Sequence, residues 1–248
     1  MFKNKVIVIT GAAGGIGRAL AACFAQAEAR LVLTDIRKEE LRNLEKTLRP
    51  GGGEILVVEH DVTRPESWGL LLGLVLETFG RVDVLINNAG IVQPGAAWKI
   101  PREEVERQVA VNLLGTIFGC QAALRVMIRQ DAGKIVNIAS LGGIVPMPGE
   151  TVYSATKFGV RGYSLSLAGE LQGTAISVTA VSPDSVDTPQ LAYELLHDEA
   201  VMAFIDHPLP PEKVARGILK AADGKKPEVL LPAGMGVFSR TAMAFPKL

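Results

Sequence analysis

The stretch that decides the fold lies near the amino terminus and reads Thr10-Gly11-Ala12-Ala13-Gly14-Gly15-Ile16-Gly17. It closes an apolar, β-branched run, Lys5 to Thr10, and passes directly into a segment with apolar residues at helical spacing, Ile16 to Glu28. Glycines permit a tight turn, and the free N–H groups at a helix start attract a pyrophosphate. A glycine-rich turn without a ligand is the alternative, but the strand before it and the helix after it favour a dinucleotide-binding loop.

The remainder of the chain repeats this alternation of strand and helix. Six further runs are strand candidates: Arg30 to Asp35, Glu54 to Glu59, Val82 to Ile86, Lys134 to Ala139, Ala175 to Val181 and Glu228 to Leu231. Segments at helical spacing lie between them: Glu39 to Leu48, Pro65 to Phe79, Pro101 to Ile128, Val152 to Leu171 and Pro211 to Ala222. The alternation predicts an α/β, Rossmann-like, doubly wound parallel sheet of seven strands with helices on both faces.

Length and composition are those of a folded chain with a large core. Of its 248 residues, 48% are hydrophobic and 21% are charged. We expect a single domain over residues 1–248, in which an insertion at about 184–210, with a helical stretch around Pro189 to Ile205, covers a ligand. Lys plus Arg and Asp plus Glu both total 26, and the resulting net charge of zero gives no reason to expect nucleic acid as a partner.

Cysteine and histidine positions predict no metal site. Cys23 and Cys120 lie in helical patterns and are interpreted as buried thiols, and the three histidines have neither ligand nor triad spacing. The amino terminus lacks the apolar region of a signal peptide, so a cytoplasmic location is expected. No membrane span is expected either, although the apolar tail, Leu230 to Leu248, leaves attachment to a membrane surface or another subunit open.

The acid that ends the second strand bears on the choice of dinucleotide. Asp35 follows the glycine loop at about the 20 residues at which a carboxylate accepts hydrogen bonds from the adenosine ribose. The same carboxylate repels a 2′-phosphate, which favours NAD over NADP. Arg37 is the opposing observation, because an arginine that turns inward here meets a 2′-phosphate; we interpret it as a solvated charge at a helix start.

Several further motifs follow in order, and together they resemble the short-chain dehydrogenase/reductase family from Val6 to about Pro232. Thr10 to Gly17 matches the family's T-G-x-x-x-G-x-G, Asp61-Val62 resembles its adenine contact, and Asn87-Asn88-Ala89-Gly90 matches its N-N-A-G. The resemblance implies an oxidoreductase that acts on alcohols or carbonyl compounds. It also implies a cofactor site that contains Gly11, Gly15, Ile16, Gly17, Asp35, Asp61, Val62, Asn88, Ala89 and Gly90.

The catalytic group that the resemblance implies is Tyr153, in Tyr153-Ser154-Ala155-Thr156-Lys157, supported by Ser140 and Asn112. Tyr153 and Lys157 share a helix face, where the ammonium is expected to lower the pKa of the tyrosine. Tyr153 then exchanges a proton with the substrate, while Ser140 donates a hydrogen bond to the oxygen on which charge develops. By resemblance, Lys157 also binds the nicotinamide ribose, and Asn112 kinks its helix and positions a water that links Lys157 to solvent.

The turn after the sixth strand departs from the family. Its members usually show P-G-x-V-x-T there, whereas this chain has Pro183-Asp184-Ser185-Val186-Asp187-Thr188, with Asp184 in place of the glycine. By resemblance, Pro183, Val186 and Thr188 belong to the nicotinamide site. An Asp tolerates unusual backbone angles better than most residues, so the turn is expected to survive.

The loops expected to face the substrate are apolar, notably Leu141 to Pro148, Val92, Leu191 and Leu195. We therefore expect a lipophilic secondary alcohol or ketone, such as a steroid, a retinoid or a similar small carbonyl compound. Glu150 is the polar exception and is interpreted as an acid that complements a helix dipole.

Two other functions use the same fold. An NAD(H)-binding redox sensor is disfavoured because it does not need the complete proton relay, and an isomerase or dehydratase of the extended branch is disfavoured by the short tail. The helical segments Pro101 to Ile128 and Val152 to Leu171 carry more small and apolar residues than one sheet face covers, so a homodimer or homotetramer is expected.

Overall fold

Seven parallel strands form one sheet in the computed structural model, which describes residues 1–199, 207–234 and 241. The strands are β1 (Val6–Thr10), β2 (Arg30–Asp35), β3 (Ile55–Glu59), β4 (Val84–Asn87), β5 (Gly133–Ile138), β6 (Ile176–Pro183) and β7 (Glu228–Leu231). Their order is β3-β2-β1-β4-β5-β6-β7, so the strand order reverses between β1 and β4. Ligands of such sheets bind at this switch point, in the crevice at the carboxyl ends of the strands.

Helices connect the strands and cover both faces of the sheet. They are α1 (Gly15–Gln26), α2 (Lys38–Leu48), α3 (Pro65–Phe79), α4 (Arg102–Gln108), α5 (Gly115–Gln130), α6 (Thr151–Glu170), α7 (Pro189–Glu194) and α8 (Pro211–Asp223). Short 3-10 turns follow α2 at Arg49–Gly51 and β5 at Leu141–Gly143. The predicted doubly wound, Rossmann-like α/β fold is confirmed.

Alternate residues of β1 contribute to two hydrophobic cores. Ile7 and Ile9 pack on one face of the sheet with α1 and α8, and Val6 and Val8 pack on the other with α3 and α5. All four side chains are fully buried, which explains why this strand is an unbroken apolar run in the sequence. Burying such a side chain stabilises the fold by roughly 1.5–3 kcal/mol, so the two cores together fix the register of the strand.

Proline and glycine set the ends of α3 where the sequence predicts them. Pro65 lies in the first turn, where its missing N–H costs no helical hydrogen bond. Gly80 ends the helix with a φ of 75° and donates its N–H to the carbonyl oxygen of Leu76 at 2.9 Å. The left-handed conformation of this residue explains the need for glycine.

The helical pattern Pro101 to Ile128 does not form one uninterrupted α-helix. A π-helical segment, Val109–Leu114, joins α4 to α5 and contains Asn112. This break lies where the resemblance implies a kink, and such segments frequently mark functional sites.

By length and composition alone, the helical run Arg102–Gln130 is suited to cross a membrane. In the structure its buried side chains, among them Cys120, Ala123 and Met127, pack in the core that α3 and the sheet also form. That packing is the behaviour of a core helix.

The segment after β6 folds back on itself before α8 begins. A parallel bridge pairs Val186 with Leu209, and the Leu209 N–H donates to the carbonyl oxygen of Ser185 at 2.8 Å. Of the helix predicted around Pro189 to Ile205, the structure has α7 over Pro189–Glu194 only. The chain is not α-helical at residues 195–199, and residues 200–206 lie outside the described residues. Most of the apolar tail, residues 235–240 and 242–248, also lies outside them, so its attachment to a membrane or subunit stays a prediction.

We expect Gly119→Ala to lower the free energy of unfolding by about 2 kcal/mol, within the range for overpacked cores. A Cβ at Gly119, on α5, would overlap the Asn87 side-chain oxygen and lie 2.6 Å from the buried Trp68 ring. The matched control is Gly73→Ala on α3, where a Cβ meets nothing within 4 Å and the higher helix propensity of alanine stabilises the chain. Denaturant unfolding measures both, and equal stability of the two variants contradicts the packing argument.

Candidate active site

A cavity of about 1100 Å³ lies at the carboxyl ends of the strands, around the switch point of the sheet. Its walls come from the glycine loop, from the loops that follow β2 to β6, and from α6 and α7. All but one of the site residues predicted from the sequence line it: Gly11, Gly15, Ile16, Gly17, Asp35, Asp61, Val62, Asn88, Ala89, Gly90, Ser140, Tyr153, Lys157, Pro183, Val186 and Thr188. The exception, Asn112, is buried behind Gly90.

The glycine loop is braced by the turn that follows β4. Thr10 Oγ1 accepts hydrogen bonds from the backbone N–H groups of Asn88 and Ala89 at 3.0 and 3.1 Å. The Asn88 side chain donates back to the carbonyl oxygens of Thr10 and Gly11. Gly11 has a φ of 61°, and a Cβ there would lie 2.8 Å from Ala89 Cα, so conformation and packing both require glycine. Thr10, to which the sequence analysis gave no separate role, therefore holds the loop in shape.

The first turn of α1 presents free backbone N–H groups to the cavity. The helix begins at Gly15 and, within the described residues, has neither a side-chain cap nor an acidic residue in its first turn. A Cβ on Gly17 would overlap the carbonyl oxygen of Gly11, so the helix start packs directly on the loop backbone. A pyrophosphate fits this place, because the helix start carries unpaired donors and a partial positive charge.

The Asp35 carboxylate is held at the end of β2 by four N–H donors. It accepts hydrogen bonds from the backbone of Ala13 at 3.1 Å and of Arg37 at 3.1 Å, and a two-pronged ion pair from the Arg37 guanidinium at 3.0 and 3.1 Å. The hydrogen bond to Asp35 raises the pKa of Arg37. The interpretation of Arg37 as a solvated charge is therefore incomplete, because its half-exposed side chain folds back onto Asp35.

Ser140 and Tyr153 meet on the opposite side of the cavity from this pair of charges. Ser140 lies two residues after the end of β5 and caps the 3-10 turn, with its Oγ accepting the Gly142 N–H at 3.0 Å. Tyr153 lies in the first turn of α6, and its hydroxyl lies close enough to Ser140 for a hydrogen-bonding interaction that lowers its pKa. Ser154 ties the two elements together, because its hydroxyl donates to the carbonyl oxygen of Gly142 at 2.6 Å.

Burial raises the pKa of Tyr153, and the nearby carboxyl groups of Glu194 and Glu150 raise it further. The hydrogen bond with Ser140 acts in the opposite direction. Lys157 was expected to lower this pKa. In the protein alone, desolvation of the phenolate outweighs the groups that stabilise it.

Lys157 lies one turn after Tyr153, with its Nζ 5.5 Å from the centre of the tyrosine ring. Its ammonium donates to the carbonyl oxygen of Ile138 at 2.9 Å and lies close to Gly90. Burial lowers the pKa of Lys157 to about 8. The group therefore carries its charge at neutral pH and begins to lose it in mildly alkaline solution.

Asn112 connects the π-helical segment to the cavity wall. Its side chain accepts the Ile91 N–H at 2.8 Å and donates to the Ile91 carbonyl oxygen at 2.9 Å. It also donates to Thr156 Oγ1 at 3.1 Å, next to Lys157 on α6. Asn112 thus fixes the position of α6 relative to the turn after β4, while a water link from it to Lys157 stays a prediction.

Asp184 does not disturb the turn after β6. Its N–H donates to the Leu231 carbonyl oxygen at 2.8 Å, and its carboxylate accepts the Ser185 N–H at 2.8 Å. Its φ is not positive, so this conformation does not require glycine. Thr188 then caps α7 by accepting the Leu191 N–H at 3.4 Å, and the prediction that the turn survives is confirmed.

Three polar residues near Tyr153 were missed or interpreted differently. Glu150 was expected to complement the dipole of α6, but it forms no cap hydrogen bond and its side chain is buried. Gln190 and Glu194, on α7, also line the cavity, and Gln190 donates to Glu194 at 3.1 Å. Their spacing of four residues after a proline indicates a shared helix face, but not that this face turns toward Tyr153.

His60 lines the cavity beside Asp61 and contacts Trp68 edge-on, with the ring centres 4.6 Å apart. Burial lowers its pKa to about 4, so it is uncharged at neutral pH.

Within the described residues, no group of His, Cys, Asp or Glu side chains has the arrangement of a metal site. Cys120 is buried, as predicted, whereas Cys23 is only half-buried.

Comparison with known proteins places this geometry in a family. A family model described as short chain dehydrogenase matches residues 5–199. The 3-oxoacyl-[acyl-carrier-protein] reductase FabG of Thermotoga maritima is 37% identical over 222 residues, which cover 88% of this chain and 89% of the relative.

Solved structures give the same result. A short chain dehydrogenase/reductase from Burkholderia phymatum, in complex with NAD, has a TM-score of 0.91 at 26% identity. The match covers 100% of this chain and 96% of the Burkholderia chain. An actinorhodin polyketide ketoreductase with NADPH has a TM-score of 0.83 at 31% identity. This match covers 92% of this chain and 95% of the ketoreductase chain. With the ordered motifs gathered around one cavity, these matches show that the chain belongs to the short-chain dehydrogenase/reductase family.

Proposed function

We propose that the protein transfers a hydride between NAD(H) and a secondary alcohol or ketone with an apolar body, and that Tyr153 is its acid and base. The observation that supports this most directly is that Tyr153, Ser140 and Lys157 line the same cavity as the glycine loop. The nicotinamide supplies the hydride for reduction and accepts it for oxidation.

Tyr153 is the group proposed to move the proton. Because burial raises its pKa, the phenol is protonated at neutral pH and can donate to a carbonyl oxygen. Ser140 is proposed to donate a hydrogen bond to the same oxygen, which strengthens as negative charge develops there. Lys157 is proposed to bind the nicotinamide ribose, and Asn112 to hold Lys157's helix in place through Thr156.

The side chains at the substrate end of the cavity are apolar and favour a substrate with an apolar body. Leu141, Val145, Met147 and Leu191 line it, together with Val92. The names of two relatives refer to a 3-oxoacyl group and to a polyketide, so a ketone on an acyl chain belongs in the proposed class. A steroid or retinoid substrate stays a prediction.

A direct assay tests the proposed function. The protein is incubated with NADH or NADPH and a panel of aliphatic, acyl-chain and cyclic ketones, and the loss of reduced nicotinamide is followed by absorbance. Turnover of at least one ketone is the expected result. Tight binding of NADH without turnover of any ketone or alcohol favours the alternative of a redox sensor on the same fold.

NAD is the proposed cofactor, because the buried Asp35 carboxylate faces the cavity where an adenosine ribose is expected. We expect Asp35→Ala to lower kcat/KM for NADH about 10- to 100-fold, since charge-assisted hydrogen bonds contribute about 1.5–3 kcal/mol. The same change releases the Arg37 guanidinium, so kcat/KM for NADPH is expected to rise.

Arg37→Ala is the matched variant for the cofactor prediction. It removes the charge available to a 2′-phosphate, and the activity with NADPH is expected to fall while that with NADH changes little. Steady-state kinetics with NADH and with NADPH give kcat/KM of each of the two variants relative to the wild type. A wild-type preference for NADPH overturns the assignment of NAD.

Assembly into a homodimer or homotetramer and residence in the cytoplasm both stay predictions. Ile117, Phe118 and Leu124 of α5 and Tyr163 of α6 are only partly buried. We propose that α5 and α6 pack against the same helices of a second chain, which light scattering coupled to size-exclusion chromatography tests.

A further inference from the structure

Two carboxyl groups from different elements face the substrate end of the cavity. Glu150 directly precedes α6, three residues before Tyr153, and Glu194 ends α7. Both line the cavity, although only 3% and 6% of their surfaces are exposed. Each is close enough to Tyr153 to raise the pKa of the phenol.

The charges of these two acids have no counterpart among the residues the structure describes. Neither forms a salt bridge there, and Glu150 Oε1 is a fully buried oxygen without a hydrogen-bond partner. Among the residues that the structure describes, Glu194 accepts a hydrogen bond only from the neutral amide of Gln190, at 3.1 Å. A buried carboxylate in this position is costly unless something pairs with it.

The cations that line the cavity are committed to other partners. Arg18 donates to the carbonyl oxygen of Ala13, Arg37 pairs with Asp35, and Arg107 pairs with Glu104. Lys157 donates to the carbonyl oxygen of Ile138. No cation that lines the cavity is therefore available to pair with Glu150 and Glu194, so their burial is offset either by their own protonation or by a cation that binds in the cavity.

A protonated primary amine has the chemistry that this place lacks. It brings a compact positive charge and three N–H donors, so it can pair with two carboxylates at once. A neutral hydroxyl donates a single hydrogen bond and leaves the two like charges uncompensated. Burial and the Glu194 charge raise the pKa of Glu150 to about 7. Such a rise is expected for two neighbouring buried acids to which no cation is bound.

We propose that the substrate is an amino ketone, or the corresponding amino alcohol, whose ammonium group binds Glu150 and Glu194 while its oxygen meets Tyr153 and Ser140. The apolar cavity wall holds the rest of the molecule, so an alkyl-chain amino ketone is the class that fits. Because Glu150 and Glu194 line the same cavity as Tyr153, the amine belongs on a carbon close to the reacting carbonyl. This inference rests on the proposed oxidoreductase function and narrows its substrate class.

The reaction balances without any further reactant. In reduction the carbon of the C=O group gains a hydride from NADH, the C=O π bond breaks, and the oxygen gains the phenol proton of Tyr153. Tyr153 recovers a proton from solvent, NAD⁺ is released, and the ammonium group is unchanged. Two electrons pass from the nicotinamide to the carbonyl carbon, which becomes a secondary alcohol.

Three alcohols of equal chain length test the inference in the direction of oxidation with NAD. They are a vicinal amino alcohol, the diol in which a hydroxyl replaces the amine, and the simple secondary alcohol. We expect kcat/KM for the amino alcohol to exceed that for the simple alcohol by about 100-fold, because hydrogen bonds to charged groups are stronger than those between neutral groups. Equal values for the amino alcohol and the simple alcohol overturn the proposal.

Glu150→Gln and Glu194→Gln remove the charges with little change in shape. Each is expected to lower the ratio of kcat/KM for the amino alcohol to that for the simple alcohol about 10-fold or more. A general loss of activity lowers both values equally and leaves this ratio unchanged. Glu77→Gln, at an exposed position on α3, is the matched control and is expected to leave every rate unchanged. Retention of the full preference in both cavity variants contradicts the assignment.

A binding measurement separates this inference from the proposed function. A primary alkylamine and the alkanol of the same length are titrated into the complex of the protein with NADH and followed by calorimetry. The amine is expected to bind at least about 10-fold more tightly, and each Gln variant to lose that advantage. Turnover of simple ketones without any amine preference overturns the inference alone, whereas amine binding without turnover of any substrate overturns the proposed function and retains the site.

Discussion

Replacing Tyr153 with Phe is expected to lower kcat about 1000-fold, within the range of about 10²–10⁴ for a general acid or base. The ring and its packing on α6 remain, but the hydroxyl that reaches Ser140 and the substrate oxygen is lost. Binding of NADH, followed by quenching of protein fluorescence, is expected to stay within about threefold. The loss then falls on kcat rather than on cofactor affinity, as the removal of a proton donor requires.

Tyr163→Phe is the matched control for this change. Tyr163 lies on the same helix, is partly buried and packs in the core near Cys120, away from the cavity. Its removal is expected to affect the free energy of unfolding by about 1 kcal/mol and to leave kcat unchanged. If Tyr153→Phe retains wild-type turnover, Tyr153 is not the acid and base, and the proposed mechanism fails.

The fold could be predicted from the sequence because its determinants are local. The unbroken apolar run of β1 and the glycines at its end specify a buried strand and a tight turn without reference to distant residues. Pro65 and Gly80 specify the ends of α3 in the same way. The π-helical break at Asn112 was implied only by resemblance, since the apolar pattern runs through it without interruption.

The electrostatics of the site could not be predicted, because they depend on which elements meet. Asp35 and Arg37 are two residues apart, but their ion pair requires the Ala13 N–H on the facing loop to fix the carboxylate. Glu150 and Glu194 are 44 residues apart in the chain and become neighbours only because the start of α6 and the end of α7 line the same cavity. The raised pKa of Tyr153 follows from that same burial, which no local pattern reports.

We expect Lys157→Met to lower kcat/KM about 100- to 1000-fold and to weaken NADH binding. Methionine fills the same space, but the ammonium that donates to the carbonyl oxygen of Ile138 and approaches Gly90 is lost. Removing a buried charge from a site where negative charge develops costs several kcal/mol of transition-state stabilisation, of which each 1.4 kcal/mol corresponds to about tenfold in rate. Steady-state kinetics and a fluorescence titration with NADH measure the two effects.

The pH dependence of NADH binding distinguishes a direct role of the Lys157 charge from a merely structural role of this residue. Burial lowers the pKa of this lysine to about 8, so the charged form dominates below that pH and is lost as the pH rises through it. In the wild type, affinity for NADH is therefore expected to fall above about pH 8. Lys157→Met removes this step and gives an affinity that is low and level across the same range. Lys213→Met, at an exposed position on α8, is expected to retain the wild-type profile, and a step that persists in Lys157→Met shows that another group is responsible.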